Sequence, residues 1–278
     1  MNAHAFDLTS EVITINKAAF KQIQNFFHKQ SGIFIPEHKQ QLVVNRLRGH
    51  MHTLGFDNFD DYFNYIASTA PQSERTHVVD LLTTNETYFF REPEHFTHLV
   101  KMMLPTIKHR PLRIWCAAAS SGEEPYSLAM VLSDKVGHHG WELVASDISV
   151  RMLETAEQGL YRIQRMEYMP EQYLKKYCRK GTGPYNGMLI VEPDVRKRVR
   201  FVQHNLLESA AKLGQFDIIF VRNVMIYFDN EVKTQVLKKL YAQLNPGGWL
   251  VTSHSESLIG RDIPLEQIRP SIYRRAAN

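Results

Sequence analysis

At 278 residues, with 44% hydrophobic and 22% charged side chains, the chain has room for a full core and the composition of an ordinary globular protein of one large domain or about two. A formal charge of +4 is too mild to argue for nucleic acid, and no apolar run approaches the ~18 residues of a membrane span. No signal-peptide pattern opens the chain, only two cysteines (Cys116, Cys178) are present, and the 13 histidines lack H-x-x-x-H spacing, which together predict a reducing cytoplasm, no disulfide framework and no metal site.

Residues 1–15 carry little pattern and read as a tail. From Asn16 the pattern turns helical, with Ala19, Ile23, Phe26 and Phe27 on one face and Gly32 beyond the end. A second helix after Pro36 stripes Val43, Leu47, Met51 and Leu54, and its other sides show Lys39, Arg46, Arg48, His50 and His52, a solvated basic face. Asn58–Ala67 and Glu74–Leu82 make two more short helices. Residues 16–82 are thus predicted to form an all-α N-terminal domain.

The stretch Thr83–Arg91 is too polar at its start and too aromatic at its end for a plain linker. Residues 83–92 are predicted to reach over a ligand site with Asn85, Thr87 and Arg91, while Tyr88, Phe89 and Phe90 dock. Pro93 then opens a helix that carries Phe96, Leu99, Val100, Met103 and Ile107 inward.

An α/β domain fills 93–278. Arg113–Ala118 reads as a buried strand, Ala119–Gly122 as a small-residue loop, and Pro125 onward as a helix. A pyrophosphate site wants free amides at that helix N-terminus, but Glu123 and Glu124 occupy it and only one Gly is present. Carboxylates there welcome an ammonium and neutral hydroxyls, as in S-adenosylmethionine; the alternative is a capping box, Ser121-x-x-Glu124. Trp141–Ser146 is a second strand ending in Asp147, 25 residues after Gly122, where such domains hold ribose hydroxyls. The alternative role for Asp147 is an acid at the start of helix Val150–Gln158, which Ser149 can cap unaided.

Residues 160–204 interrupt the alternation. Pro170–Tyr177 is a short helix, and a small antiparallel β subdomain over about 178–203 is predicted to pair Met188–Val191 with Val199–Val202 around a basic tip, Arg196, Lys197 and Arg198. Asn205 and Leu206 fall at the sheet's carboxyl edge. Phe216–Val221 is apolar enough for a central parallel strand and runs into Arg222, Asn223 and Tyr227. A helix from Asn230 to Leu244, a turn at Asn245–Gly248, strand Trp249–Thr252 and a last strand Ile268–Tyr273 complete the chain.

Several strings coincide in order: Asn85-Glu-Thr-Tyr-Phe-Phe-Arg91, Ala117-Ala-Ala-Ser-Ser-Gly-Glu-Glu-Pro-Tyr-Ser127, Ala145-Ser-Asp147, Asn205-Leu-Leu, Phe216 to Asp229 with its Arg-Asn-Val-Met-Ile-Tyr-Phe, and His254-Ser-Glu256. Over nearly its whole length the chain resembles the chemotaxis receptor methyltransferases, the CheR family. That resemblance implies a class I S-adenosylmethionine-dependent methyltransferase fold, a Rossmann-like doubly wound sheet with the helical N-terminal domain and the small β subdomain. It implies methyl transfer from S-adenosylmethionine to glutamates of chemoreceptor cytoplasmic domains, with S-adenosylhomocysteine as product. The implied cofactor contacts are Asn85, Thr87, Arg91, Glu124, Asp147, Asn205, Leu206, Arg222 and Asn223, with Arg91 and Tyr227 flanking the methyl. In some members the subdomain grips a receptor's C-terminal peptide; a cytoplasmic monomer without nucleic acid or membrane insertion is expected. The rival readings are a binding protein for S-adenosylmethionine without turnover, a methyltransferase of another protein, and a nicotinamide oxidoreductase, which would want a free helix N-terminus.

Overall fold

The computed structural model describes residues 14–258, 260 and 262–277; the predicted tail over 1–15 therefore lies, but for Thr14 and Ile15, outside the described residues. The chain divides into two compact units, one holding the N-terminal residues to Gln30 with Phe34–Leu82, the other Ser31–Ile33 with everything from Thr83 onward.

The first unit is all helix: α1 (Lys17–Ser31, its last residue already in the second unit), α2 (Gln40–Thr53), α3 (Phe59–Ser68) and α4 (Gln72–Leu82). Asn58 caps α3 by accepting from the Asp61 amide at 2.9 Å. Ala19, Ile23, Phe27, Val43, Leu47 and Met51 are buried, as their spacing demands, with Phe20 buried in place of the half-buried Phe26. The basic side of α2 is less solvated than its composition suggests. His50 joins the Tyr62 hydroxyl at 2.7 Å and Glu74 at 2.8 Å, and Arg46 donates to the Leu82 carbonyl at 2.6 Å. Burial holds the His50 imidazole below its usual pKa.

In the second unit come α5 (Glu94–His98, continued by wider and tighter turns to Thr106), β1 (Leu112–Ala117), α6 (Glu123–Lys135), β2 (Trp141–Asp147), α7 (Val150–Gln158), β3 (Leu160–Arg162), α8 (Glu171–Tyr177), β4 (Cys178–Lys180), β5 (Met188–Val191), α9 (Pro193–Arg196), β6 (Val199–Gln203), β7 (Phe216–Val221), α10 (Asn230–Ala242), β8 (Leu244–Val251), β9 (Leu265–Arg269) and β10 (Ile272–Arg275). The main sheet runs β6-β2-β1-β7-β8-β10-β9 and the small one β3-β5-β4. β6, β2, β1, β7 and β8 are mutually parallel, and β10 closes antiparallel on β8. The order reverses between β1 and β7, so the crevice beyond their carboxyl ends is where an open α/β sheet receives a ligand.

Four sequence-based assignments change, one being that the turn expected at Asn245–Gly248 lies within β8. Val199–Gln203 does not pair with Met188–Val191; it lies parallel to β2, Ala145 opposite Phe201, and extends the main sheet. The antiparallel subdomain is built instead from β3, β4 and β5, spanning Leu160 to Val191. Its predicted basic tip is largely consumed: Arg196 donates to the Gln158 carbonyl at 3.1 Å and the Arg198 guanidinium sits 5.5 Å over the Trp141 ring. The last strand is a hairpin, β9 to β10, turning at Ser271 with φ 62.

Gly122 precedes α6 at φ 96, and a Cβ there would lie 2.7 Å from the Ala156 Cβ and 2.9 Å from the Tyr161 hydroxyl. Both backbone and space require Gly. Gly122→Ala should lower unfolding free energy by about 2 kcal/mol, read as a urea midpoint shift without a change in slope.

Candidate active site

At the end of β1 the chain leaves the sheet through Ala118 (φ 78) and Ser120 (φ 48), conformations that non-glycine residues adopt at a cost. The amides of Ala118 and Ala119 both donate to the Ser146 carbonyl at 2.8 Å, binding the loop to the tip of β2. There Asp147, 7% exposed, accepts from the Ser120 amide (2.7 Å) on one carboxylate oxygen and from the Ser149 amide (2.9 Å) on the other. A carboxylate oxygen can accept more than one such bond. Ser149 caps α7 by accepting from the Met152 amide, so Asp147 is not the cap.

The two acids opening α6 part company. Glu123 is fully buried, accepts from Ser121 Oγ (2.7 Å) and pairs with Arg165 (3.1 Å), and its burial pushes the carboxyl pKa up. No capping box forms, because Gly122 is the N-cap and the Ser121 hydroxyl turns to Glu123. Only Glu124 of the pair faces the cavity. It accepts from Cys116 Sγ at 3.1 Å and is ion-paired with Arg222.

Arg222, 4% exposed, also donates to the Arg91 carbonyl at 2.6 Å and to Glu92 at 3.1 Å. Both terminal nitrogens of its guanidinium are thus engaged within the protein, while Nε has no partner among the described residues and the residue lines the cavity. Next to it Asn223 is left-handed (φ 59), and the Glu256 carboxylate accepts from the amides of Asn223 (2.9 Å) and Ile226 (3.2 Å), fixing the turn that carries Tyr227.

The segment before α5 has no ladder of its own. Ser120 Oγ donates to the Asn85 carbonyl (3.1 Å), Arg165 to Thr87 (3.0 Å) and Arg91 to Glu86 (3.1 Å), while the Phe90 amide donates to Ser127 Oγ (3.0 Å). Arg91 lies 5.6 Å from the Tyr88 ring centre.

One cavity of about 840 Å³, counting its open mouth, is lined by Asn85, Thr87, Arg91, Glu124, Asp147, Asn205, Leu206, Arg222, Asn223 and Tyr227, which are all ten of the candidate residues. The lining residues the sequence did not single out include Thr83, Thr84, Ser120, Ile148, His204, Val224 and Phe228. Most flank a named residue by one position, so neighbourhood was their available signal. Glu256, behind the lining, was marked only by the string His254-Ser-Glu256, and its role in holding the turn was not, since its partners lie 30 and 33 residues away. Glu92, His95 and His254 also bring ligand-type atoms within 4.8 Å of one another, a proximity that sequence spacing does not show. Arg222 already occupies the Glu92 carboxylate there.

The chain matches two family models: CheR methyltransferase, all-alpha domain, over residues 18–83, and CheR methyltransferase, SAM binding domain, over 85–273. Chemotaxis protein methyltransferase 2 of Pseudomonas aeruginosa is 39% identical over 261 residues, 92% of each chain. The chemotaxis protein methyltransferase of Salmonella typhimurium is 38% identical over 248 residues, 88% of this chain and 85% of its own. That of Escherichia coli K12 is 38% identical over 251 residues, 89% and 87%.

Neither thiol is primed for covalent chemistry. Burial, then the Glu124 charge, pushes the Cys116 pKa up, and burial with Glu192 brings Cys178 to about 12. In the native protein at pH 8 iodoacetamide should modify both at least about 100-fold more slowly than a free cysteine, whose pKa is near 8.5. Mass spectrometry before and after denaturation reads the difference.

Proposed function

The chain belongs to the CheR family of chemotaxis methyltransferases, and from that premise we propose that it transfers a methyl group from S-adenosylmethionine to glutamate side chains of chemoreceptors, forming glutamyl methyl esters. The observation that carries this reading is the meeting of all ten candidate residues around one cavity at the carboxyl edge of the sheet.

The lining suits that cofactor on its own chemistry. The helix end bears Glu124 and the strand end Asp147, acceptors for an ammonium and for ribose hydroxyls, and the acids Glu123 and Glu124 in the first turn of α6 disfavour a phosphate at its amides. We assign Glu124 to the methionine ammonium, Asp147 to the ribose, and Asn205 with Leu206 to the adenine. Asn85, Thr87 and Asn223 complete the contacts, and Arg222 acts by holding Glu124 and the Arg91 backbone. When bound, S-adenosylmethionine supplies an electrophilic methyl on a sulfonium.

A glutamate carboxylate, whose ordinary pKa is near 4.3, arrives already ionised at neutral pH and needs no base to make it a nucleophile. The task left to the protein is orientation and exclusion of water. Arg91, half-buried at the cavity, holds the incoming carboxylate by charge-assisted hydrogen bonds, and Tyr227 shapes the surroundings of the methyl. Chemoreceptor cytoplasmic domains are the proposed substrate, with a receptor C-terminal peptide docking on the β3-β5-β4 sheet. Among the described residues no helix is long and apolar enough to cross a membrane. A cytoplasmic monomer meeting its receptors at the membrane surface is the arrangement we propose.

Incubation with labelled S-adenosylmethionine and receptor fragments should give base-labile label on glutamate; label on another residue type overturns the substrate assignment. Asp147→Ala should weaken S-adenosylmethionine binding about 30-fold or more by calorimetry, the cost of losing hydrogen bonds to a charged acceptor. Tyr227→Phe should instead lower kcat about tenfold with binding largely kept, and Arg91→Lys should lower kcat because the planar fork is lost. Equal and negligible effects from Asp147→Ala and Tyr227→Phe would defeat these roles.

A further inference from the structure

The pocket segment Thr87–Phe90 is held, residue by residue, by the small subdomain that begins with β3. Arg165 Nη1 donates to the Thr87 carbonyl at 3.0 Å. Tyr168 packs on Tyr88 with ring centres 4.9 Å apart, Tyr161 meets Phe89 edge-on at 5.0 Å, and Tyr173 stacks on Phe90 at 4.9 Å. The same Arg165 nitrogen reaches Glu123 Oε1 at 3.1 Å, although the Arg165 side chain is 49% exposed and Glu123 fully buried. Tyr161 adds a bond from its hydroxyl to the Ser121 carbonyl at 2.6 Å, so the subdomain touches the glycine loop as well.

A segment without helix or strand has no ladder to hold its backbone, so its geometry follows whatever groups satisfy it from outside. Besides Ser120, Ser127 and Arg222, those groups come from the subdomain over Leu160–Val191, chiefly from its turn and helix after β3, and no residue of that subdomain lines the cavity. Arg165 and Tyr168 stand out among them. The buried aromatics would be explained by core packing alone, whereas a half-exposed Arg and a 62% exposed Tyr are not needed for a core. We propose that Arg165, aided by Tyr168, is a positioning residue through which the small antiparallel subdomain holds the Asn85–Arg91 segment in its working geometry, so that methyl transfer depends on a structural unit that never touches the cofactor. Its effect on turnover rests on the function proposed above; its effect on the segment does not.

Two readouts separate those dependences. In hydrogen exchange on the protein alone, Arg165→Ala should make peptides spanning 87–91 exchange about tenfold faster, with the β7 and β8 peptides unchanged. At saturating S-adenosylmethionine and receptor fragment, Arg165→Ala should lower kcat about tenfold or more, as misplacement of orienting groups does. Arg165→Lys should restore most of both, because one nitrogen makes both contacts and an ammonium can replace it. Should removal of Arg165 beside buried Glu123 unfold the protein, Tyr168→Ala, which strands no charge, should still speed exchange at 87–91 about threefold. Parental exchange across 87–91 in Arg165→Ala, or in Tyr168→Ala where the former does not fold, overturns the proposal. If exchange responds but the parental protein binds no S-adenosylmethionine, the function above falls while the holding role stands.

Discussion

A single buried cation organises the site. Arg222 leaves the end of β7 with its charge out of water, a placement that costs several kcal/mol unless every partner is in position. Its partners come from two other stretches of chain: Glu124 in the first turn of α6, and Glu92 with the Arg91 carbonyl in the segment before α5. Burial alone would lower the pKa of the guanidinium, and the Glu124 and Glu92 charges reverse that. A strand end, a helix start and an irregular segment are thereby locked into one arrangement, and removal of both acids would leave the Arg222 charge uncompensated. Glu124 is in consequence a carboxylate already oriented before a ligand arrives, which is what preorganisation requires.

Backbone strain collects at the same place. Phe90, Glu92, Ala118, Ser120 and Asn223 all have positive φ without being glycine, and all of them lie on or beside cavity residues. Each such residue costs on the order of 1 kcal/mol or more and persists because its surroundings over-determine it. The compensations are visible: the Ser146 carbonyl receives the amides of Ala118 and Ala119, Asp147 that of Ser120, and Glu256 that of Asn223. The turns that carry the chemistry are held by side chains because no regular ladder reaches them.

Most of the fold was legible in the sequence where a local pattern dictated it. Phe216–Val221 is buried at every position, as its unbroken apolar run implied, and the stripe Val236, Leu237, Leu240 places α10 against the core. Pairing was less legible because it is not local. Val199–Gln203 has the mixed burial of an edge strand, and nothing in five residues says whether the neighbour is β5 or β2. The membership of the cavity could be read residue by residue, but not the internal commitments of its charges. Glu123 and Glu124 look equivalent in sequence, yet helix phase sends one into the core toward Arg165 and the other to the pocket. The ion pairs of Arg222 could not be read from the sequence, because its three partners are about 100 to 130 residues distant.

The absence of an activating base from the proposed chemistry explains where the structure concentrates its interactions. A carboxylate nucleophile and a sulfonium leaving group need no proton moved in the displacement, so little is gained from a tuned acid or base. His204, the one histidine at the cavity among the described residues, has its pKa lowered, mainly by burial. What remains to be supplied is distance and angle, a task the proposed roles give in part to the segment Asn85–Arg91, which has neither helix nor strand. Its precision must be imported, through Ser120 and Ser127 from the α6 side, Arg222 from the end of β7 and Arg165 from the turn after β3. In the proposed chemistry, residues that never approach the methyl would therefore carry part of the orientation on which the rate depends.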